Sequence, residues 1–184
     1  MRPVPLAFFT QDALVVAQQL LGKVVSYGGC SGMVVETEAY KDDPASHGYT
    51  RTPRSQIMFS TYGKWYIYLI YGMYHCMNLT TNGAGEVGAV LIRALEPLEG
   101  IELMKKRRKT HDVYNLCSGP GKVCQALGVD KRLNGTSVDK EMKLFEHKTF
   151  NTKDIVATSR IGIIQGKELL WRFYVEWSEF VSGR

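Results

Sequence analysis

MVVETEAYKDDPASH, residues 33–47, decides how this chain is read. Its first half alternates as a β-strand does, so side chains two apart share a face. On that reading Val34, Glu36, Glu38 and Tyr40 point one way, and Met33, Val35, Thr37 and Ala39 the other. Two carboxylates and a tyrosine thus follow a hydrophobic run on a single face. The strand breaks at Asp42-Asp43-Pro44 and delivers His47. Glutamate, tyrosine and histidine at a strand end can rim a site. Taken alone, the same residues read as an edge strand with a solvated face.

Outward from this stretch the chain divides into short elements. Thr10 reads as an N-cap, and the helix after it runs to about Leu21 and stops at Gly22, with Leu14, Ala17 and Leu21 on its apolar face. A strand near residues 23–27 turns through the glycines of 28–32 into the opening strand, which is a hairpin signal. A polar connection, GYTRTPRSQ, follows His47 and carries Arg51 and Arg54. Strands are expected at 65–71, 74–81 and 88–95, with Asn82-Gly83 as a turn between the last two. Pro97 is expected to open a helix ending in the basic run 105–109, where cations also suit the helix dipole. Ser118-Gly119-Pro120-Gly121-Lys122 starts another helix, which ends at Gly128. The P-loop pattern fails there, since Leu116 and Val123 stand where glycine and Ser/Thr are required. A helix N-terminus with free N–H groups and Lys122 remains, a reasonable phosphate contact. Residues 129–159 read as loop-rich, and strands near 160–164 and 169–177 close the chain. Hairpins rather than repeated strand–helix units predict an α+β fold, a mostly antiparallel sheet with surrounding helices.

Length and composition bound the answer. The 184 residues suit one domain with a real core, and 45% hydrophobic with 22% charged residues is ordinary for a globular protein. A net charge of +5 weakly favours a polyanionic partner such as nucleic acid. Cys30, Cys76, Cys117 and Cys124 form no CxxC pair and lack histidines at zinc-ligand spacing, so reduced, packed thiols are expected. No signal peptide is read at the start, and the longest nearly uncharged run, residues 65–79, is too short and polar to span a bilayer.

Seven motifs in this order, VVETEAY, DPASH, TPR with MF after it, WYIYLIYGMYHCMN, IRALEP, CSGPGKVCQALG and RIGI, resemble the alkyladenine (3-methyladenine) DNA glycosylases. The likeness runs from Thr10 to Trp177. It implies an enzyme, monomeric and without metal or cofactor, that flips a damaged purine out of double-stranded DNA. Water then hydrolyses the bond between base and deoxyribose, leaving an abasic site with the strand uncut. It also implies no membrane association, and a cytoplasmic, nucleoid-associated place in a bacterium or a nuclear one in a eukaryote. By position, Glu38 matches the general base, Arg93 a residue that holds the attacking water, and the Ile161 backbone carbonyl its third support. Tyr40, His47 and Tyr68 match the walls that sandwich the flipped base, and Asn78 the residue that crowds the amine of normal guanine. Tyr71 matches the tyrosine that fills the hole in the duplex. Thr52, Arg54, Met73, Tyr74 and Lys122 fall where the family touches DNA around the lesion. Three departures bear on the pocket lip: a short connection from Glu38 to His47, Ser55 after TPR in place of the common asparagine, and the length of the insert at 82–86.

The chemistry is coherent with that match. A base inside a duplex must be extruded at a cost of a few kcal/mol, and a bulky wedge can hold the extruded state. Tyr71 precedes Gly72 and so stands at a turn. Tyr68 and Tyr71, three apart, fall on opposite faces of a regular strand. Aromatic walls attract the positive charge of alkylated purines. Glu38 can stabilise charge on the sugar and take a proton from water. Glu36 reads as a structural or solvated acid. The run 105–109 reads equally as a solvated helix face or a DNA contact. Two rivals stand beside this reading: a carbohydrate hydrolase using Glu36 and Glu38 as a carboxylate pair, and a non-catalytic nucleic-acid-binding module whose tyrosines stack bases.

Overall fold

A computed structural model describes residues 1–82 and 85–183. Its elements are α1 (Ala13–Leu20), β1 (Val24–Tyr27), β2 (Cys30–Tyr40), α2 (Gln56–Ser60), β3 (Trp65–Ile70), β4 (Tyr74–Thr80), β5 (Ala89–Glu99), α3 (Ile101–Arg108), α4 (Pro120–Leu127), β6 (Lys143–Phe145), β7 (Ile155–Thr158) and β8 (Arg172–Val175). Gly83 of the expected Asn82-Gly83 turn lies outside the described residues. The fold is α+β, as expected: one antiparallel sheet in the order β3-β4-β5-β2-β1-β6, with β8 pairing both β2 and β7.

The decisive stretch is central, not an edge. One side of β2 pairs with β5 along most of its length. Its other side pairs first with β1 and then, from Glu36 to Glu38, with β8. Glu36 and Glu38 are therefore 0% exposed. The simple alternation is also corrected. Val35 is an extra residue opposite the Leu95–Ala94 step of β5, and Arg93 an extra residue opposite the Glu36–Thr37 step of β2. Such bulges reverse which side chains share a face. Val34 and Ala39 enter the main core, and Thr37 Oγ1 donates to Ala17 O of α1 at 2.8 Å. Met33 and Val35 join a small cluster with Val24 and Ala94. Glu36, Glu38 and Tyr40 continue from that second face, without Val34.

The main core lies between the sheet and the helices. Val16 and Leu20 of α1, Met104 of α3, and Val123 and Leu127 of α4 pack on Val34, Ile67, Met77, Val90 and Ile92. All four cysteines are buried free thiols, as expected. The opposite face of β2–β5 carries the site.

Several boundaries move for local reasons. Asp12, not Thr10, caps α1: its carboxylate accepts from Leu14 N at 2.8 Å, while Thr10 ends a separate 3-10 turn. Pro97 stays in β5 opposite Gly32, beside a register irregularity where a missing N–H is tolerated. The left-handed Gly100 (φ 72°) then starts α3. The expected strand at 160–164 is instead a loop, because Gly162 (φ 77°) breaks the alternation. The strand falls earlier, at β7. Among the described residues no helix is long and apolar enough to cross a membrane.

Candidate active site

On the second face the antiparallel registers bring four strands to one cavity. Tyr66 and Tyr68 of β3 lie opposite Asn78 and Cys76 of β4, and Asn78 is in turn opposite Leu91 of β5. Leu91 faces Glu38, and Ala89 faces Tyr40. The resulting cavity holds about 370 Å³. Tyr40, His47, Tyr68, Asn78, Arg93, Ile161, Tyr71 and Tyr74 all line it, so eight of the expected residues converge. Glu38 lies beneath this lining.

The Glu38 carboxylate is held from three sides. Oε1 accepts the Ile161 N–H at 2.7 Å and lies 3.2 Å from Arg93 Nη1. Oε2 accepts the Tyr40 hydroxyl at 2.8 Å. Ile161 thus reaches Glu38 through its N–H. Glu36 forms a separate hub: Oε1 accepts from Arg93 Nε (3.1 Å), Arg172 Nε (2.6 Å) and Ser182 Oγ (2.9 Å), and Oε2 from Ser182 N (2.6 Å). Of the two expected readings, a structural or a solvated acid, burial leaves the structural one. Two carboxylates and two guanidiniums balance in a buried network, with Arg93 bridging both acids. Burial opposes the charge of Arg93, but Glu38 and Glu36 outweigh it and push the guanidinium above its ordinary value.

The aromatic walls are neutral. Burial, then the carboxylate of Glu38, pushes the Tyr40 hydroxyl up. Burial likewise raises Tyr68. His47 stands 4.6 Å from Tyr68, ring to ring, and its Nδ1 lies 2.9 Å from the Tyr66 hydroxyl. Burial against these rings and the nearby Arg54 lower its pKa. Asn78 is buried and donates from Nδ2 to Tyr66 O at 3.1 Å, which fixes its amide.

The mouth is apolar and protruding. Tyr71 adopts φ 53° and is 78% exposed. The expected placement of Tyr68 and Tyr71 on opposite faces is corrected: the strand ends at Ile70, the left-handed turn swings Tyr71 around, and both border the same cavity. Met73 and Tyr74 continue the exposed tip. Tyr74 packs so close to Gly121 that a Cβ there would sit 3.1 Å from it. Thr52, Met73 and Lys122 do not line the cavity. The exposed Arg54 guanidinium lies 4.8 Å from the Tyr68 ring. Thr52 and Ser55 exchange hydrogen bonds at the start of α2, so Ser55 has a structural place there. Lys122, in the first turn of α4, bonds Asn115 and Ser118.

Residues that sequence reasoning passed over complete the site. Tyr66 was detectable by its period-two spacing from Tyr68. Arg172 stood among the alternating residues of the last strand, and Arg160 is the first letter of RIGI. Nothing local marks Ser182, which reaches Glu36 across 146 positions.

Fold and site together define a sheet-borne aromatic pocket that ends on a buried, donor-held carboxylate. The family model described as methylpurine-DNA glycosylase matches residues 7–179. The chain belongs to this family and is by membership a DNA glycosylase of DNA repair. A relative from Prosthecochloris aestuarii is 47% identical, covering 95% of this chain and 88% of its own length. One from Rhodopseudomonas palustris is 43% identical, covering 95% and 85%. One from Methanoculleus marisnigri is 42% identical, covering 98% and 99%. All three carry the name "Putative 3-methyladenine DNA glycosylase".

Proposed function

We propose that this protein, acting as a single-domain monomer, excises alkylated or deaminated purines from duplex DNA. Tyr71 wedges into the stack while the damaged nucleotide turns out into the pocket. Tyr40 on one side, with His47 and Tyr68 on the other, sandwiches the base. Neutral rings favour a cationic alkylpurine, because the π-faces attract positive charge. Asn78, pinned to the strand backbone, crowds the amine of normal guanine. Glu38 then takes a proton from water as the glycosidic bond opens, and its charge stabilises the developing cation on the sugar. Arg93 and the backbone at Ile161 hold that water. The products are free base and an abasic site, with the strand uncut.

The observation that carries this reading is Glu38: a fully buried carboxylate, held by two hydrogen bonds and an ion pair with Arg93 under an aromatic cavity whose mouth bears an exposed tyrosine. The carbohydrate hydrolase reading requires Glu36 beside the substrate, but Glu36 is spent on two arginines and Ser182. A base-stacking module would need the aromatic walls but no oriented carboxylate beneath them. The test is base release from defined duplexes, each carrying one lesion. Free base should appear, and strand breaks should follow only after alkali. Binding without any base release would overturn the reading.

A further inference from the structure

Arg160 and Asp43 form a buried clasp beside the pocket. They are 4% and 3% exposed. Arg160 Nη2 meets Asp43 Oδ1 at 2.6 Å, and Nη1 meets Oδ2 at 3.2 Å. Nη1 also donates to Ala39 O at 3.1 Å. The guanidinium lies 4.7 Å from the Tyr40 ring and 5.1 Å from the Trp171 ring. Asp43 in turn accepts from Lys41 N and Ala45 N, and so shapes the turn between Tyr40 and His47. Arg160 Nε has no hydrogen-bond partner among the described residues.

A buried ion pair contributes little net stability, because desolvation offsets its attraction. An arginine with an orphaned Nε is not placed there to satisfy itself. What the clasp does touch is the support of Glu38. One carboxylate oxygen is held by Ile161 N, the residue after Arg160; the other is held by Tyr40, whose ring rests on the Arg160 guanidinium. The clasp also ties the loop bearing Ile161 to the loop leading to His47, two walls of one cavity.

Resting on the glycosylase reading above, we propose that Arg160, held by Asp43, is a positioning residue that sets Tyr40 and Ile161 and through them orients the Glu38 carboxylate. Lysine at 160 keeps the charge but cannot span Asp43 and Ala39 O while stacking on two rings. Misplacing a reacting group by about 1 Å costs on the order of 100-fold in rate.

The test compares wild type, Arg160→Lys and Asp43→Asn by single-turnover base release at saturating enzyme, equilibrium binding to the same lesion duplex, and thermal melting. Asp43→Asn keeps the shape but sets its amide nitrogen against Arg160 and a backbone N–H, so it should melt lower; read at a temperature where it is folded, it serves if Arg160→Lys does not fold. The expected result is a rate reduced about 100-fold, with DNA affinity changed less than about threefold in the folded variant. Wild-type rates in the variants would overturn the clasp. So would loss of rate, affinity and melting temperature in parallel, which marks a merely structural pair. Absence of base release by the wild type would strike the glycosylase reading itself, and is thereby distinguished.

Discussion

Glu38→Gln should stop base release while leaving the fold and lesion binding largely intact. The structure sets the magnitude. Glutamine can place its carbonyl oxygen where Oε1 now meets Ile161 N and Arg93 Nη1, at 2.7 and 3.2 Å. Its amide nitrogen then faces the Tyr40 hydroxyl, which can turn to accept, since a hydroxyl serves either role. Arg93 keeps Glu36 as a counter-charge at 3.1 Å. No donor is left against a donor, so the folding cost is that of weakened charge-assisted bonds, about 1–2 kcal/mol. The chemical cost is larger. A general base supplies about 10²–10⁴ in rate. At 1.36 kcal/mol per factor of ten that is about 3–5 kcal/mol.

The neighbouring Glu36→Gln is the contrast. Three donors converge on Oε1, and the Ser182 N–H, which cannot accept, points at Oε2. Either orientation of the amide sets its nitrogen against a donor, and Arg172 loses its counter-charge. Breaking a buried pair costs about 3–5 kcal/mol. For a domain of this size that lowers the melting temperature by roughly 6–20 °C. Melting curves, titration of lesion duplex and single-turnover release at saturating enzyme test both variants. Near-normal release by Glu38→Gln would refute the base assignment. Equal melting losses in the two variants would refute the distinction between a chemical and a structural glutamate.

Tyr71→Ala should melt like wild type, since the side chain is 78% exposed, yet lose base release. The loss should be larger for a well-paired lesion than for the same lesion in a mismatch, where less stacking is broken; an equal loss in both would remove the wedge role. DNA affinity should fall steeply with salt, and Arg54→Ala and Lys122→Ala should each lower the log–log slope by roughly one, whereas a flat dependence in titrations would exclude phosphate contacts. His47 titrates below the ordinary imidazole value of 6.5, so it is neutral at pH 7 and charges only on acidification. Because the unfolded chain takes that proton more readily, its stabilising contribution is full above 6.5 and is lost as pH falls. The added charge should also depress excision of a cationic lesion more than a neutral one, a gap His47→Gln should close; pH–rate profiles on both lesions check it.

What the sequence revealed tracks the range of the forces involved. The Gly28–Gly29 hairpin, α4 from Pro120 to its cap at Gly128, and the period-two tyrosines of β3 depend on neighbours a few residues apart, and they were legible. Asp12 against Thr10 was a choice between two capping residues, and only the 2.8 Å bond to Leu14 N decides it. Pro97 carried a helix-start signal that its place opposite Gly32 overrode. The convergence of Glu38 and Tyr40 on one face was legible, but the partners that turn it into a site were not. Arg93, Ile161 and Ser182 reach these glutamates across 55 or more positions. No periodicity encodes such pairings; only the resemblance pointed to Arg93 and Ile161.

The paired irregularities at Val35 and Arg93 explain why the central strand can carry acids at all. Had the alternation of Met33–Val35 continued, Glu36 and Glu38 would share the face of Val34, against Val16 and Leu20 under α1. Two carboxylates there would meet no donor, and each would cost several kcal/mol. The extra residue in β2 turns them to the other face. The extra residue in β5 does the same for Arg93 and returns the ladder to its former register, so the pairing of Ala39 and Tyr40 with Val90 and Ala89 is kept. The guanidinium is thereby set between both glutamates, 3.1 Å from one and 3.2 Å from the other. Without the bulges, Val34 and Ala39 could not both face the core, because an odd separation of five places residues on opposite faces of a regular strand. The double bulge shifts the phase once in each strand, so the apolar residues at both ends of β2 reach the core while Glu36, Glu38 and Arg93 meet on the reverse face, where the pocket opens.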